Sequence, residues 1–307
     1  MNSTPLVSVI IPNYNHARYL DQRIQTVLNQ TYQNFEVIIL DDCSTDNSLE
    51  VIAKYKDNHH VSQVVVNEQN SGSTFKQWDK GIHLANGELI WIAESDDYCE
   101  LNMLEELVKA MMKKKNVVVA FSSFVIFSDD GYISKAKERG TLYFRSPQFI
   151  SKRMLRGNVI MNASGAIFNK EIYHQISQNF QTFQSAGDYM FWTEVVAFGE
   201  IAMVKKNLTY FRIHTGSVTS DNVSKGVTPF EEKRVFDYIC QHYVPSKWQK
   251  HIARSIRNKA FSARNFDSME IKSRILRCWK IEHHVPLLEK CYLLLSHFLE
   301  NHLEIII

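Results

Sequence analysis

The first two thirds of this 307-residue chain are predicted to form an open mixed α/β sheet flanked by helices, with a helical appendage after it. Two observations predict this. Short β-branched runs alternate with amphipathic stretches over the first hundred residues, the signature of βαβ units building a parallel sheet. Beyond Pro229 the pattern becomes almost wholly helical. A 45% hydrophobic content suffices to bury a full core.

Val7–Ile11, Phe35–Leu40, Gln63–Val66 and Leu89–Ala93 read as buried strands. Between them, Ala17–Leu28 carries Leu20, Ile24, Val27 and Leu28 on one helical face, and Ser48–Tyr55 is entered through the capping residues Ser44-Thr45-Asp46. Thr74–Ala85 stops at Asn86-Gly87. The apolar run Val117–Phe127 ends at the hairpin-type turn Asp129-Asp130-Gly131, predicting a switch to mixed pairing. Further helices are expected at Pro147–Leu155, Lys170–Ile176 and Asp188–Phe198, and strands at Ala163–Phe168 and Leu208–Ile213.

Open α/β sheets bind ligands beyond the carboxyl ends of their strands. Pro12-Asn13-Tyr14-Asn15, Asp41-Asp42 and Glu94-Ser95-Asp96-Asp97 each follow a predicted strand. One such cluster is ordinary turn chemistry, but three in register, two with adjacent acids, point to a site. Hard divalent cations that bridge phosphates use one or two carboxylates, which suits the last cluster. The plain alternative is that Ser95-Asp96 caps the helix beginning near Leu101.

Val7–Asn15, Ile39–Asp46 and Asn86–Asp97 together resemble family 2 glycosyltransferases of the GT-A fold, a likeness that extends over about residues 5–215. The resemblance implies an inverting transfer of one sugar from a nucleotide-diphosphate sugar, most simply UDP-linked, with Mn²⁺ or Mg²⁺ as cofactor. It puts Pro12, Tyr14, Asn15, Asp42, Lys76, Ser95 and Asp96 on the nucleotide, with Tyr14 stacking on the base and Asp96 near the ribose. It puts Asp97 and His214 at the metal. Glu94 stands where the family has a leading Asp. Lys76 stands where Arg is common, and a lysine meets a phosphate as a point charge rather than a bidentate fork.

Attack by an acceptor hydroxyl needs a base, and Asp188, in Gly187-Asp188-Tyr189-Met190-Phe191-Trp192, matches the family's catalytic acid. A helix-capping Asp would be expected there in an inert protein too. Arg212 and His214 share a strand face. Asn162–Gly165 reads either as acceptor lining or as a tight strand crossing, and Trp78, Trp91, Phe121, Phe124 and Phe127 read as core. The chain lacks the Gln-x-x-Arg-Trp motif of processive synthases, favouring single transfers. The competing reading is a non-catalytic nucleotide-sugar-binding or scaffold subunit. A nucleotidyltransferase would instead need a Gly-rich loop near the N-terminus.

A net charge of +2 gives no basic field for nucleic acid. Five scattered cysteines without metal or CxxC spacing favour a reducing compartment. With no leader-like N-terminus and no apolar stretch of spanning length, a cytoplasmic location is expected. The expected partners are the donor and a glycan or lipid-linked acceptor, used in surface polysaccharide assembly. The catalytic domain is assigned to 1–228 and the helical region to 229–307. Ten Lys/Arg against two acids lie between Pro245 and Lys280, beside Trp248, Ile252 and Ile256 at helical spacing. Peripheral contact with the cytoplasmic membrane face, or packing on the catalytic domain or a second copy in a homo-oligomer, both fit this amphipathic stretch.

Overall fold

The computed structural model describes residues 4–128, 130–213, 218–280 and Tyr292. His214, assigned to the metal from sequence, Asp129 of the expected hairpin turn and Cys291 lie outside the described residues.

The first half is built as β1 (Val7–Asn13), α1 (Ala17–Leu28), β2 (Phe35–Asp41), α2 (Ser48–Ala53), β3 (Val61–Val66), α3 (Thr74–Leu84) and β4 (Leu89–Ile92). There follow β5 (Tyr98–Cys99), α4 (Met103–Met112), β6 (Val117–Ser128), β7 (Gly131–Lys135), β8 (Thr141–Arg145) and α5 (Ser146–Lys152). Then come β9 (Ala166–Asn169), α6 (Lys170–Tyr173), α7 (Gly187–Val195) and β10 (Glu200–Arg212). The chain continues through α8 (Val218–Ser224), α9 (Val227–His242), α10 (Lys247–Ser262) and α11 (Met269–Cys278).

Among the described residues one sheet runs in the order β3-β2-β1-β4-β9-β6-β10-β5, with β7 on β6 and β8 on β10. β3, β2, β1 and β4 are mutually parallel, so their carboxyl ends share one edge. β9 is antiparallel to both β4 and β6, which brings its first residue to that same edge.

Strand side chains alternate between the faces. Val7, Val9 and Ile11 join one buried cluster with α1 and α4, whereas Ile10 joins the other with α3 and α7. That second cluster also holds Val235, Phe236, Ile239, Ala253, Phe261 and Ile275 from α9 to α11, and Trp279 just past α11. The helices after residue 226 therefore complete the core on one sheet face. The apolar stripe of α10 is turned inward, with Ile252 and Ala253 buried.

Several expected elements differ in extent. β1 runs through Pro12 to Asn13. Even-numbered residues of β1 direct their amides toward β4, and the pairing with β4 ends at Ile10, before Pro12, which has no N–H to extend that ladder. The helix expected over Pro147–Leu155 breaks after Lys152 into a 3-10 turn, Met154–Arg156. Residues Ala163–Gly165, expected as strand, form a 3-10 turn before β9, started by Asn162 accepting the Ser164 amide. Among the described residues the last strand is the 13-residue β10, whose register shifts against β6.

The continuity of the core with α9 makes a prediction. Phe236→Ala, at a fully buried site, should cost about 3–5 kcal/mol and lower the midpoint of a single denaturant transition reported alike by far- and near-ultraviolet circular dichroism. A separate early transition would mean that these helices fold independently.

Candidate active site

The first loop is drawn to the second by side chains at the ends of β1 and β2. The buried Asp41 carboxylate accepts from Asn13 Nδ2 (2.8 Å) and from the Ser44 amide (2.9 Å). Asn15 adopts φ 55°, a left-handed conformation that Asn tolerates better than most residues. Its amide donates to Ser44 Oγ (2.9 Å) and its Oδ1 accepts from the Thr45 amide (2.7 Å). Tyr14 is left 46% exposed on the rim, beside the buried Pro12.

Asp42 is 4% exposed and heavily used within the chain. Its Oδ1 accepts from Asn67 Nδ2 (2.6 Å), the Ser71 amide (2.9 Å) and Gln77 Nε2 (3.0 Å). Its Oδ2 accepts from Ser71 Oγ at 2.8 Å. The residue therefore anchors the loop before α3. Lys76, exposed in the first turn of α3, donates to the Ser71 carbonyl at 3.2 Å.

The turn after β4 gathers three acids over a buried cation. Arg23 of α1 is fully buried; its Nε donates to the Glu94 carbonyl (2.8 Å) and its guanidinium lies 3.9 Å from Asp97 Oδ2. Its two terminal nitrogens have no hydrogen-bond partner, so its effect on Asp97 is chiefly that of charge. Asp97, 2% exposed, also accepts from the Arg212 amide at 3.1 Å. Arg212 Nε holds the Asp96 carbonyl (2.9 Å) while its guanidinium stacks between Tyr19 and Phe127. Ser95 is buried with its hydroxyl 2.8 Å from His16 Nδ1. Trp78 Nε1 donates to Glu94 Oε1 (2.8 Å) and Ser164 Oγ accepts from the Glu94 amide (3.0 Å).

Removal from water, then the Asp96 charge, pushes Glu94 up to about 8 and Asp97 up to about 7. Arg23 opposes both shifts. Carboxylates crowded this way are a donor set that a divalent cation would relieve. Among the described residues no three His, Cys, Asp or Glu side chains converge so as to hold a metal ion by themselves, but phosphate-bridging cations take only one or two carboxylates from the protein. The residues present therefore fit such an ion.

Asp188 lies in the first turn of α7. It accepts from Asn158 Nδ2 (2.8 Å) and from the Tyr189 amide (2.7 Å). Burial pushes its carboxyl up to about 7, with the Tyr189 amide opposing and the Glu232 charge assisting. Gly187 carries α7 against α3: a Cβ there would stand 2.5 Å from Phe75 Cε2 and 2.6 Å from the Phe180 carbonyl. Since Phe75 belongs to the first turn of α3, that contact ties the helix bearing Asp188 to the element that follows the Asp42-bound loop. A groove of about 680 Å³ lined by residues including Glu100, Lys135, Glu138, Lys206 and Tyr210 contains none of the site residues named above.

Arg23 and Asn158 carried no signal in the sequence, Ser164 stood out only as part of the Asn162–Gly165 segment, and Trp78 was visible only as core. Arg23 is one position from Ile24 in a pattern otherwise read as amphipathic, and nothing local marks it as buried. In the Asn162–Gly165 segment a small residue is required by close packing at Gly165, where a Cβ would meet Thr209 Oγ1 at 2.9 Å.

A mixed sheet whose parallel strands end on an acid-lined edge is the arrangement of GT-A glycosyltransferases. Residues 8–177 match the pattern of Glycosyl transferase family 2, and the chain belongs to that family. It is similar over 99% of its length, at 24% identity, to an uncharacterised glycosyltransferase of Haemophilus influenzae, covering 94% of that protein. It is 27% identical to the putative teichuronic acid biosynthesis glycosyltransferase TuaG of Bacillus subtilis, over 80% of this chain and 94% of the relative. The S. aureus TarS 1-349 structure in complex with UDP-GlcNAc superposes with a TM-score of 0.69 at 19% identity, over 89% of this chain and 79% of that one.

The Gly187 contact is testable. Gly187→Ala should force α7 off Phe75 and Phe180, costing about 1–3 kcal/mol through overpacking. Turnover should fall at least about tenfold, the scale of a small misplacement near a site, while donor binding by calorimetry holds. Wild-type turnover would detach the placement of α7 from activity.

Proposed function

We propose that this glycosyltransferase moves a single sugar, with inversion, from a UDP-linked donor to the hydroxyl of a glycan or lipid-linked acceptor in surface polysaccharide assembly. The observation that carries the reading is the pairing of two carboxyl environments: Asp97 in the acid turn after β4, and Asp188 on a separate helix, its carboxyl pushed up to about 7. The UDP-sugar in the TarS complex and the teichuronic acid assignment of TuaG support the donor and pathway class.

In this mechanism Tyr14 offers its exposed ring to the base, Asp42 supports the nucleotide loop and Asp96 faces the ribose. Ser95 shapes the same turn, and Lys76 lies close enough to the start of α3 to meet phosphate. Mn²⁺ or Mg²⁺ held by Asp97 would offset charge on the departing diphosphate. Asp188 takes the proton of the acceptor hydroxyl as its oxygen bonds to the anomeric carbon. The bond from that carbon to the diphosphate oxygen breaks on the opposite face, its electron pair leaving with the nucleotide, so the configuration inverts. A carboxyl titrating near neutrality is matched to that task.

No helix among the described residues is long and apolar enough to cross a membrane. Since the apolar stripe of α10 is packed inward, peripheral membrane attachment would rest on exposed cations such as Lys247, Lys259, Arg277 and Lys280.

Three outcomes test the proposal. Asp97→Ala should abolish Mn²⁺-dependent donor binding in calorimetry while the circular dichroism spectrum is retained; undiminished binding would remove Asp97 from the metal. Asp188→Asn should keep donor affinity and lower turnover by roughly 10²- to 10⁴-fold. The active form of Asp188 is the carboxylate, so kcat at saturating donor and metal should fall as pH drops through about 7, approaching about tenfold per pH unit below it.

The same shift has a sign for stability. The unfolded carboxyl titrates near 3.8 and the folded one near 7, so between those values the fold holds more protons. The contribution of this group to stability declines as pH rises across the window, and thermal melts of Asp188→Asn should lack that decline.

A further inference from the structure

The proposed chemistry depends on where the backbone sets Asp188, one residue inside α7. Helices leave their first amides without intrahelical acceptors, and a capping side chain usually receives one. The N-cap of α7 is Ala186, which has no such side chain. Within the first turn the Tyr189 amide is received by Asp188 itself, and the segment leading into the helix is held from α9. The Glu231 carboxylate receives three successive amides, Gln184 at 2.8 Å to Oε1, and Ser185 and Ala186 each at 2.9 Å to Oε2. Ser185 Oγ and Thr228 Oγ1, 2.7 Å apart, add a fourth bridge between the same two segments.

Glu231 is only 7% exposed. Buried carboxylates are costly unless fully hydrogen-bonded, and bonds from amides to a charged oxygen are short and about twice as strong as neutral ones. The entry to α7 is thus held from one side by Glu231 and from the other by the contact of Gly187 with Phe75. Between these constraints the chain has little freedom before Asp188. Glu231 lies beyond residue 177, where the family pattern ends.

We propose that Glu231 is a positioning residue for sugar transfer: by clamping the amides of residues 184–186 it aims the Asp188 carboxyl at the acceptor hydroxyl. The C-terminal helices are in this way a working part of the active site. The inference rests on the reading of Asp188 as the base. Glu231 itself touches no reacting atom and acts through the backbone.

The test uses the full chain and measures UDP release from whichever of UDP-glucose or UDP-N-acetylglucosamine supports turnover. Glu231→Gln keeps the shape but presents an amide group to donors that need an acceptor. It should lower kcat by about 10- to 100-fold, the scale of an ångström's misplacement, with the donor KM within about twofold of wild type. Val235→Ala, a cavity on the same helix at a fully buried site, supplies a destabilised control that should keep kcat near wild type. In an Asp188→Asn background, Glu231→Gln should produce no further fall, because residues acting as one unit are non-additive.

A loss of kcat that merely follows destabilisation, matched by Val235→Ala, would overturn the proposal, as would an undiminished effect of Glu231→Gln in the Asp188→Asn background. If Glu231→Gln does not fold, Glu231→Asp retains the charge one methylene short. It should give an intermediate kcat at unchanged donor KM, and either wild-type kcat or lost donor binding would overturn the inference. Failure of the underlying reading looks different, since Asp188→Asn would then turn over at the wild-type rate. Impaired Asp188→Asn beside unimpaired Glu231→Gln would sink the Glu231 inference alone.

Discussion

The arrangement turns on a buried guanidinium beneath a crowded set of acids. Glu94, Asp96 and Asp97 fall within four residues at the end of β4, and carboxylates held so close repel one another and resist ionisation. Arg23 reaches them from α1, bonding the Glu94 carbonyl and lying opposite Asp97. A buried cation without hydrogen bonds for its terminal nitrogens would be a poor choice for stability alone. Its placement makes sense where acids must be kept near one another at the mouth of a site.

Around that pair the turn is held from three further directions. Trp78 and Ser164 fasten the side chain and amide of Glu94, and Arg212 fastens the backbone and side chain of the last two acids. The indoles of Trp78 and Trp91 are both core and support, since Trp91 Nε1 donates to the Ser164 carbonyl at 2.8 Å. Packing and polar positioning are here properties of the same side chains. That is economical in a sheet whose carboxyl edge must be both solid and open to a ligand.

The second carboxylate is organised differently. Asp97 belongs to the parallel half of the sheet, whereas Asp188 rides on α7, fixed through α3 on one side and α9 on the other. Because α9 to α11 share the core cluster that includes α3 and α7 residues, the helical region is coupled to the site through packing. The basic character of that region, prominent in the sequence, is partly absorbed by such contacts: Arg257 lies 3.3 Å from Glu232, and Arg254 lies over Phe236.

The strand-loop-helix order of the first hundred residues, and hence the convergence of the Asn15, Asp42 and Asp97 clusters on one edge, was legible in the sequence because it follows from local periodicity and chain direction. The start of α7 at Gly187-Asp188 was legible for the same reason. Partners distant in sequence were not: Arg23 meets Glu94 from 71 positions away, Arg212 meets Asp97 from 115, and Glu231 meets Ala186 from 45. Nor could periodicity tell an arginine on the solvent face of α1 from one turned under the sheet edge, or a tail that packs from one that stands apart. Sequence by itself determined which residues could carry the chemistry, since residue type and spacing are local properties. Tertiary structure alone decided which of them are held, by what, and in which direction, because burial and hydrogen-bond geometry arise only when separate elements meet.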